Sequence, residues 1–334
     1  MHLDAPRLSL AAFIADLSGR ERSLGRFAAT VVGGVIAGVV VGVIAGVIAL
    51  FAYAAATGAF SGDIHTLPQR VTGLISGNGA DVQSALVLLT LATATNGPMA
   101  ATFILVAALI AGRKVLSYIT VARTIRWPLL GLGLAMSFAI IGPLIAAGQL
   151  LDPHATPPPL LSLAKDLPTR TLYAVACVGL LIIAAAAEEV VFRGWLLRQS
   201  AALSRNPIFL MALNGVVFSA VHGEFGPDAF LTRALMGAGF VYMTLRLGGV
   251  EFSTGAHAAN NIMIVLFIQP LSLKPSPSSG VSADSLFQDV FLFASYVLMT
   301  EIVARWTPLR RLVGLDTTDA APSAQTAAAT GPWG

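Results

Sequence analysis

Charged side chains are scarce in this chain. Asp, Glu, Lys and Arg make up 11% of its 334 residues and 56% are hydrophobic, where a soluble globular domain carries roughly a quarter charged. A water-soluble fold of this size cannot hide so much apolar surface in one core. The composition therefore excludes a soluble domain and makes bilayer lipid the solvent for much of the chain. Cysteine is nearly missing too. Cys177 stands alone inside an apolar run, which excludes a disulfide framework and a Cys-based zinc site and leaves it as a small packing residue. No basic block is present either: the net charge of +3 comes from Arg and Lys scattered between apolar runs, a pattern that sets membrane topology and excludes a nucleic-acid patch. A cleavable signal peptide is not expected, because Asp4, Arg7, Asp16, Arg20, Glu21, Arg22 and Arg26 precede a first apolar run too long for a signal core. No internal repeat of the kind found in many transporters is visible.

What the sequence does have is long apolar runs, at 27–54, 84–112, 127–151, 171–197, 207–222, 229–247, 253–269 and 285–305. They predict an all-α polytopic membrane protein of about eight transmembrane helices. Asn96-Gly97-Pro98 in the second run predicts a kink or an interfacial first half. Arg20, Arg22 and Arg26 precede the first span, Arg113, Lys114, Arg123 and Arg126 follow the second, Arg198 and Arg205 the fourth, Arg246 the sixth, and Arg305, Arg310 and Arg311 the eighth. The alternate segments hold Asp63, Asp81, Asp152, Lys165, Asp166, Glu224, Asp228, Lys274 and Asp284 in balance or acidic excess. Both termini then fall on the cytoplasmic side.

The chain divides into a leader over 1–26, a single membrane domain over 27–315 with its polar core at 171–269, and a disordered Ala/Thr/Pro-rich tail over 316–334. In the leader Leu10, Phe13, Ile14 and Leu17 repeat at helical spacing, the pattern of an interfacial helix, with a partly disordered tail as the alternative. The stretches 157–159 and 274–280 read as external loops.

Ionisable groups inside a span are costly by a few kcal/mol each, so each requires a partner or a task. They gather in the second half of the chain. In the fourth span Glu188-Glu189-Val-Val-Phe-Arg193 follows four alanines. On a helix Glu189 and Arg193 are i and i+4, suited to an ion pair, while Glu188 points about 100° away and stays free. The fifth span carries Phe218 and His222, the seventh His257 and Asn261, again i and i+4 on one face.

Two carboxylates, two histidines and an amide can activate a water and stabilise an oxyanion. Glu188, His222 and His257 equally resemble a His₂Glu zinc site with an open position, and spacing does not separate the two readings. Each group also has a structural reading: Glu189 with Arg193 as a helix lock, His257 as an interhelical donor, His222 as an interface residue. Depth poses a further condition. Glu188 and His222 lie equally far from the turn near 203–206, but His257 lies closer to its own turn near 248–249. The three reach one level only if the 198–206 hairpin protrudes beyond the membrane or the helices tilt.

In order and spacing, EExxxR at Glu188 to Arg193, FxxxH at Phe218 to His222 and HxxxN at His257 to Asn261 resemble the CAAX-protease and bacteriocin-processing family, also called Abi, of intramembrane endopeptidases, which includes the type II CAAX prenyl endopeptidase. The resemblance covers roughly 171–269. It implies an eight-helix core that hydrolyses peptide bonds near the cytosolic face, with Glu188 and His222 activating water, His257 and Asn261 forming the oxyanion site, and Glu189 with Arg193 orienting the first helix. The implied cofactor is either none or zinc. The expected partners are membrane lipid and a peptide or membrane-protein substrate, with no nucleic acid, in a bacterial inner membrane. A non-enzymatic scaffold or bacteriocin-immunity protein and a proton-coupled transporter are the competing classes.

Overall fold

A computed structural model describes residues 12–58, 81–152, 155–223, 226–271 and 280–316, with a few isolated positions between 64 and 79. The expected loop at 274–280, residue 280 apart, and nearly all of the expected tail lie outside them. Each apolar run is helical: α1 Leu24–Ala56, α2 Val82–Ala111, α3 Trp127–Leu151, α4 Leu167–Leu203, α5 Pro207–Val221, α6 Pro227–Leu247, α7 Glu251–Met263 and α8 Ala283–Arg305. No strand occurs among the described residues; one isolated bridge joins Thr120 to Gly249.

Five of these helices, α1 to α4 and α8, are long and apolar enough to cross a membrane. The other three are shorter or more polar. Helix α5 is apolar but only 15 residues long, about 22 Å against a hydrocarbon core of roughly 30 Å. Helix α6 contains Asp228, Arg233 and Arg246, and α7 runs 13 residues before a π-helical turn over Ile264–Ile268.

The helix ends follow local chemistry. Asp81 caps α2 in a reciprocal box with Ser84, and Gly112 closes it at a φ of 66° that suits a residue without Cβ. Asn206 caps α5 through Ile208 N and Phe209 N ahead of Pro207. Pro98 sits inside α2, which runs unbroken through it. The 157–159 stretch leads into a single helical turn, Pro159–Ser162.

Small residues set how closely the rods approach. Gly34, Gly38, Gly42 and Gly46 recur every fourth residue on α1 against Phe103, Met99 and Thr95 of α2; a Cβ on Gly42 would stand 2.7 Å from the Thr95 carbonyl oxygen. At the crossing of α3 with α7, a Cβ on Gly255 would collide with the Leu130 carbonyl. With lipid as solvent, such backbone contact replaces hydrophobic burial as the force between helices.

The leader packs on protein. Phe13 and Ile14 are buried in a cluster with Leu197, Leu210 and Val250. Asp16 and Glu21 hold Arg113 at 2.7 and 2.9 Å and Arg198 at 2.6 and 3.1 Å. The same cluster joins Leu197 and Leu210 of the α4–α5 hairpin to Val250 at the start of α7.

Candidate active site

Helix α4 changes its winding at the polar motif. Residues Leu167–Glu189 are α-helical, Val190–Leu196 form a π-helix, and Leu197–Leu203 return to α. The wider i→i+5 turns begin directly after the two glutamates, a position where π segments often mark functional sites.

Glu189 and Arg193 are fully buried and paired, Oε1 to Nη1 at 2.9 Å, as their spacing predicts. Arg193 also donates through Nη2 to the Gly237 carbonyl at 3.3 Å, and its guanidinium lies over the rings of Phe218 at 4.2 Å and Phe240 at 5.1 Å. A buried charge needs this many partners to offset its lost hydration. The same carboxylate oxygen of Glu189 meets His257 Nδ1 at 3.0 Å.

Glu188 leaves the helix on another side. Its Oε2 lies 3.7 Å from His257 Nε2 and 3.9 Å from His222 Nε2, and it has no hydrogen-bond partner among the described residues. The side chains of Glu188 and His222 are 29% and 30% exposed, that of His257 2%. The site is thus open on one side and closed behind.

The imidazole tautomers follow from their outer neighbours. His222 Nδ1 faces the Phe218 carbonyl at 2.7 Å, which only accepts, so the proton sits on Nδ1 and a neutral ring offers the Nε2 lone pair inward. His257 Nδ1 faces the Glu189 carboxylate, with the same result. Three acceptor atoms therefore converge on one spot. Such an arrangement calls for something with protons or positive charge between them: a water that donates both hydrogens, or a cation.

Phe218 holds the pieces in place, with ring centroids 4.6 Å from His222 and 5.8 Å from His257, while Phe240 stacks on His257 at 5.0 Å. Asn261 is one turn beyond His257. Its Oδ1 accepts from Asn260 at 3.4 Å, and among the described residues it makes no hydrogen bond to Glu188, His222 or His257. The structure thus brings together Glu188, Glu189, Arg193, Phe218, His222 and His257 and leaves Asn261 outside the hydrogen-bonded cluster. Sequence reasoning missed Phe240, Gly237 and the π segment. An aromatic among apolar neighbours and a glycine in a helix look like packing residues, and no local signal separates these two from the rest.

The donor set is of the type that zinc takes. Two Nε2 atoms and a carboxylate, with both Nδ1 groups donating to acceptors behind them, match the chemistry of a zinc site and its supporting shell. The spacings of 3.7 and 3.9 Å exceed by a few tenths of an ångström the ~3.4 Å between neighbouring ligands of a tetrahedral zinc, and no trio among the described residues is grouped tightly enough to hold a metal. The chemistry fits and the spacing is slightly wide.

The fold and this cluster define a helical membrane protein built around a buried acid and imidazole centre. Residues 170–263 match the family model described as Type II CAAX prenyl endopeptidase Rce1-like, so this segment is similar to the CAAX protease family, a family of hydrolases. The chain is also similar to the uncharacterized protein YyaK of Bacillus subtilis (strain 168), 33% identical over 133 residues, or 37% of this chain and 44% of that protein. The chain thus spans under half the length of that relative. No solved structure matches.

Proposed function

We propose that this protein is an intramembrane endopeptidase that hydrolyses a peptide bond near the cytosolic membrane face. The observation that carries the reading is the convergence of Glu188 Oε2 with two imidazole nitrogens whose other ring positions are already engaged.

A water placed among them donates one hydrogen to Glu188 and one to His222, which turns a lone pair toward a scissile carbonyl. Glu188 takes the proton as the water attacks and passes it to the leaving amine. His257, backed at Nδ1 by the Glu189 carboxylate, takes up a proton from solvent on Nε2 as substrate binds and donates that N–H toward the developing oxyanion. Asn261 joins that donor only after a change of rotamer. The apolar, half-closed surroundings strengthen each of these interactions.

In this reading all eight helices cross a bacterial inner membrane, with both termini in the cytoplasm. The three helices too short or polar to qualify alone are shielded by their neighbours and line the reaction space. Membrane lipid and a peptide or membrane-protein substrate are its partners.

Zinc is a second reading, favoured by the tautomers. Glu188, His222 and His257 would hold the ion, which supplies a Lewis acid and a more acidic bound water. The protein's own contribution is then to fix both rings through Phe218 and Glu189. Cleavage of a membrane peptide by reconstituted protein tests both readings. Glu188→Gln should lower the rate by about 10²-fold or more with the protein still folded. Metal content near one zinc per chain that falls in His222→Ala selects the metal reading. Undiminished cleavage by Glu188→Gln and His222→Ala together defeats both.

A further inference from the structure

Helix α2 packs mainly on α1 and α4, and α3 mainly on α7, which leaves a slot between α2 and α3. Its volume is about 590 Å³ and its walls are almost wholly apolar. On α4 it is faced by Ala186 and Val190, two residues either side of Glu188 and so on the far side of that helix from the acid and imidazole cluster. The slot is separate from the proposed reaction site.

Size limits what enters it. A helix with its side chains is at least 10 Å across, while the slot is a gap of about 590 Å³ between two helices. A hydrocarbon chain is the slimmer occupant.

Charge specifies the rest. The slot ends at the α2–α3 connection, where Val115, Ile125 and Trp127 line it. Trp127 is 66% exposed, as an indole at headgroup depth should be. Lys114 precedes Val115, and Arg123 stands two residues before Ile125; both are exposed, and neither has an ion-pair partner among the described residues. The neighbouring Arg126 is by contrast committed, buried and bonded to Glu251 at 2.8 Å.

We propose that this slot binds one anionic phospholipid, with an acyl chain between α2 and α3 and the phosphodiester headgroup at Lys114 and Arg123. The proposal requires membrane embedding but not peptidase activity. Such a lipid fills a gap that would otherwise leave Thr254 and the Arg126–Glu251 pair facing mobile lipid.

The test uses full-length protein in phosphatidylcholine bilayers carrying either spin-labelled phosphatidylglycerol or spin-labelled phosphatidylcholine with the same chains. The wild type should immobilise the phosphatidylglycerol in preference, and that preference should fall about fivefold for each charge removed in Lys114→Gln and Arg123→Gln. Ala101→Leu, which narrows the slot without touching a charge, should reduce the immobilised fraction. Glu188→Gln should leave it unchanged, so a failed peptidase reading and a failed lipid reading are told apart. Equal retention of the two lipids by the wild type, or a preference that survives loss of both cations or filling of the slot, overturns the proposal.

Discussion

Arg193 has no exposure to water, and its charge is balanced by one carboxylate, one carbonyl and two aromatic faces. Arg193→Met leaves Glu189 as an uncompensated buried charge and should destabilise the protein by ~3–5 kcal/mol, read as a lowered thermal transition. Arg193→Lys keeps the charge but loses the planar stack over Phe218 and Phe240, so it should recover only part of that stability. Part of this was legible in the sequence. The i, i+4 spacing of Glu189 with Arg193 forecast both their pairing and the freedom of Glu188. The grip of Glu189 on His257 was not legible, because it joins residues 68 apart in sequence, and such contacts leave no trace in local spacing.

At the scale of elements, the glycine stripe of α1 permits backbone contact with α2. Gly42→Leu forces a side chain against the Thr95 carbonyl and should destabilise the α1–α2 pair by ~1–3 kcal/mol, measurable as earlier thermal aggregation. Hydropathy located all eight helices within a few residues, since apolar length is what the sequence states most directly. Whether α5, α6 and α7 span the membrane is less evident from hydropathy, because α5 is only 15 residues long and polar residues within α6 and α7 dilute their signal. The π turns of α4 and α7 were invisible: Val190–Leu196 holds neither proline nor an unusual glycine pattern, and its winding comes from tertiary fit.

At the scale of the whole molecule, the leader clasps the end of α2 and the α4–α5 hairpin. Burial raises the Asp16 pKa, but hydrogen bonds from Arg113 and Arg198 outweigh it and the net shift is downward from 3.8. A lowered aspartate stabilises the folded state above its unfolded value and loses that contribution as pH falls through the folded one. The clasp should therefore be intact at neutral pH, loosening only below the usual aspartate range. In Asp16→Asn this acid step should shrink, as read by proteolysis within residues 12–23.

Topology is tested with single cysteines. Cys177 is buried, so after its replacement by Ser, Ser23→Cys and Arg205→Cys should both react with an impermeant reagent only from the cytoplasmic side; labelling from opposite sides contradicts the topology. The most direct measurement of the central claim is cleavage of a membrane peptide in heavy-oxygen water, with the new carboxyl terminus read by mass spectrometry. The wild type is predicted to incorporate one solvent oxygen at each new terminus while Glu188→Gln yields none. Termini formed at the wild-type rate by Glu188→Gln contradict the assignment of Glu188 as the group that activates water.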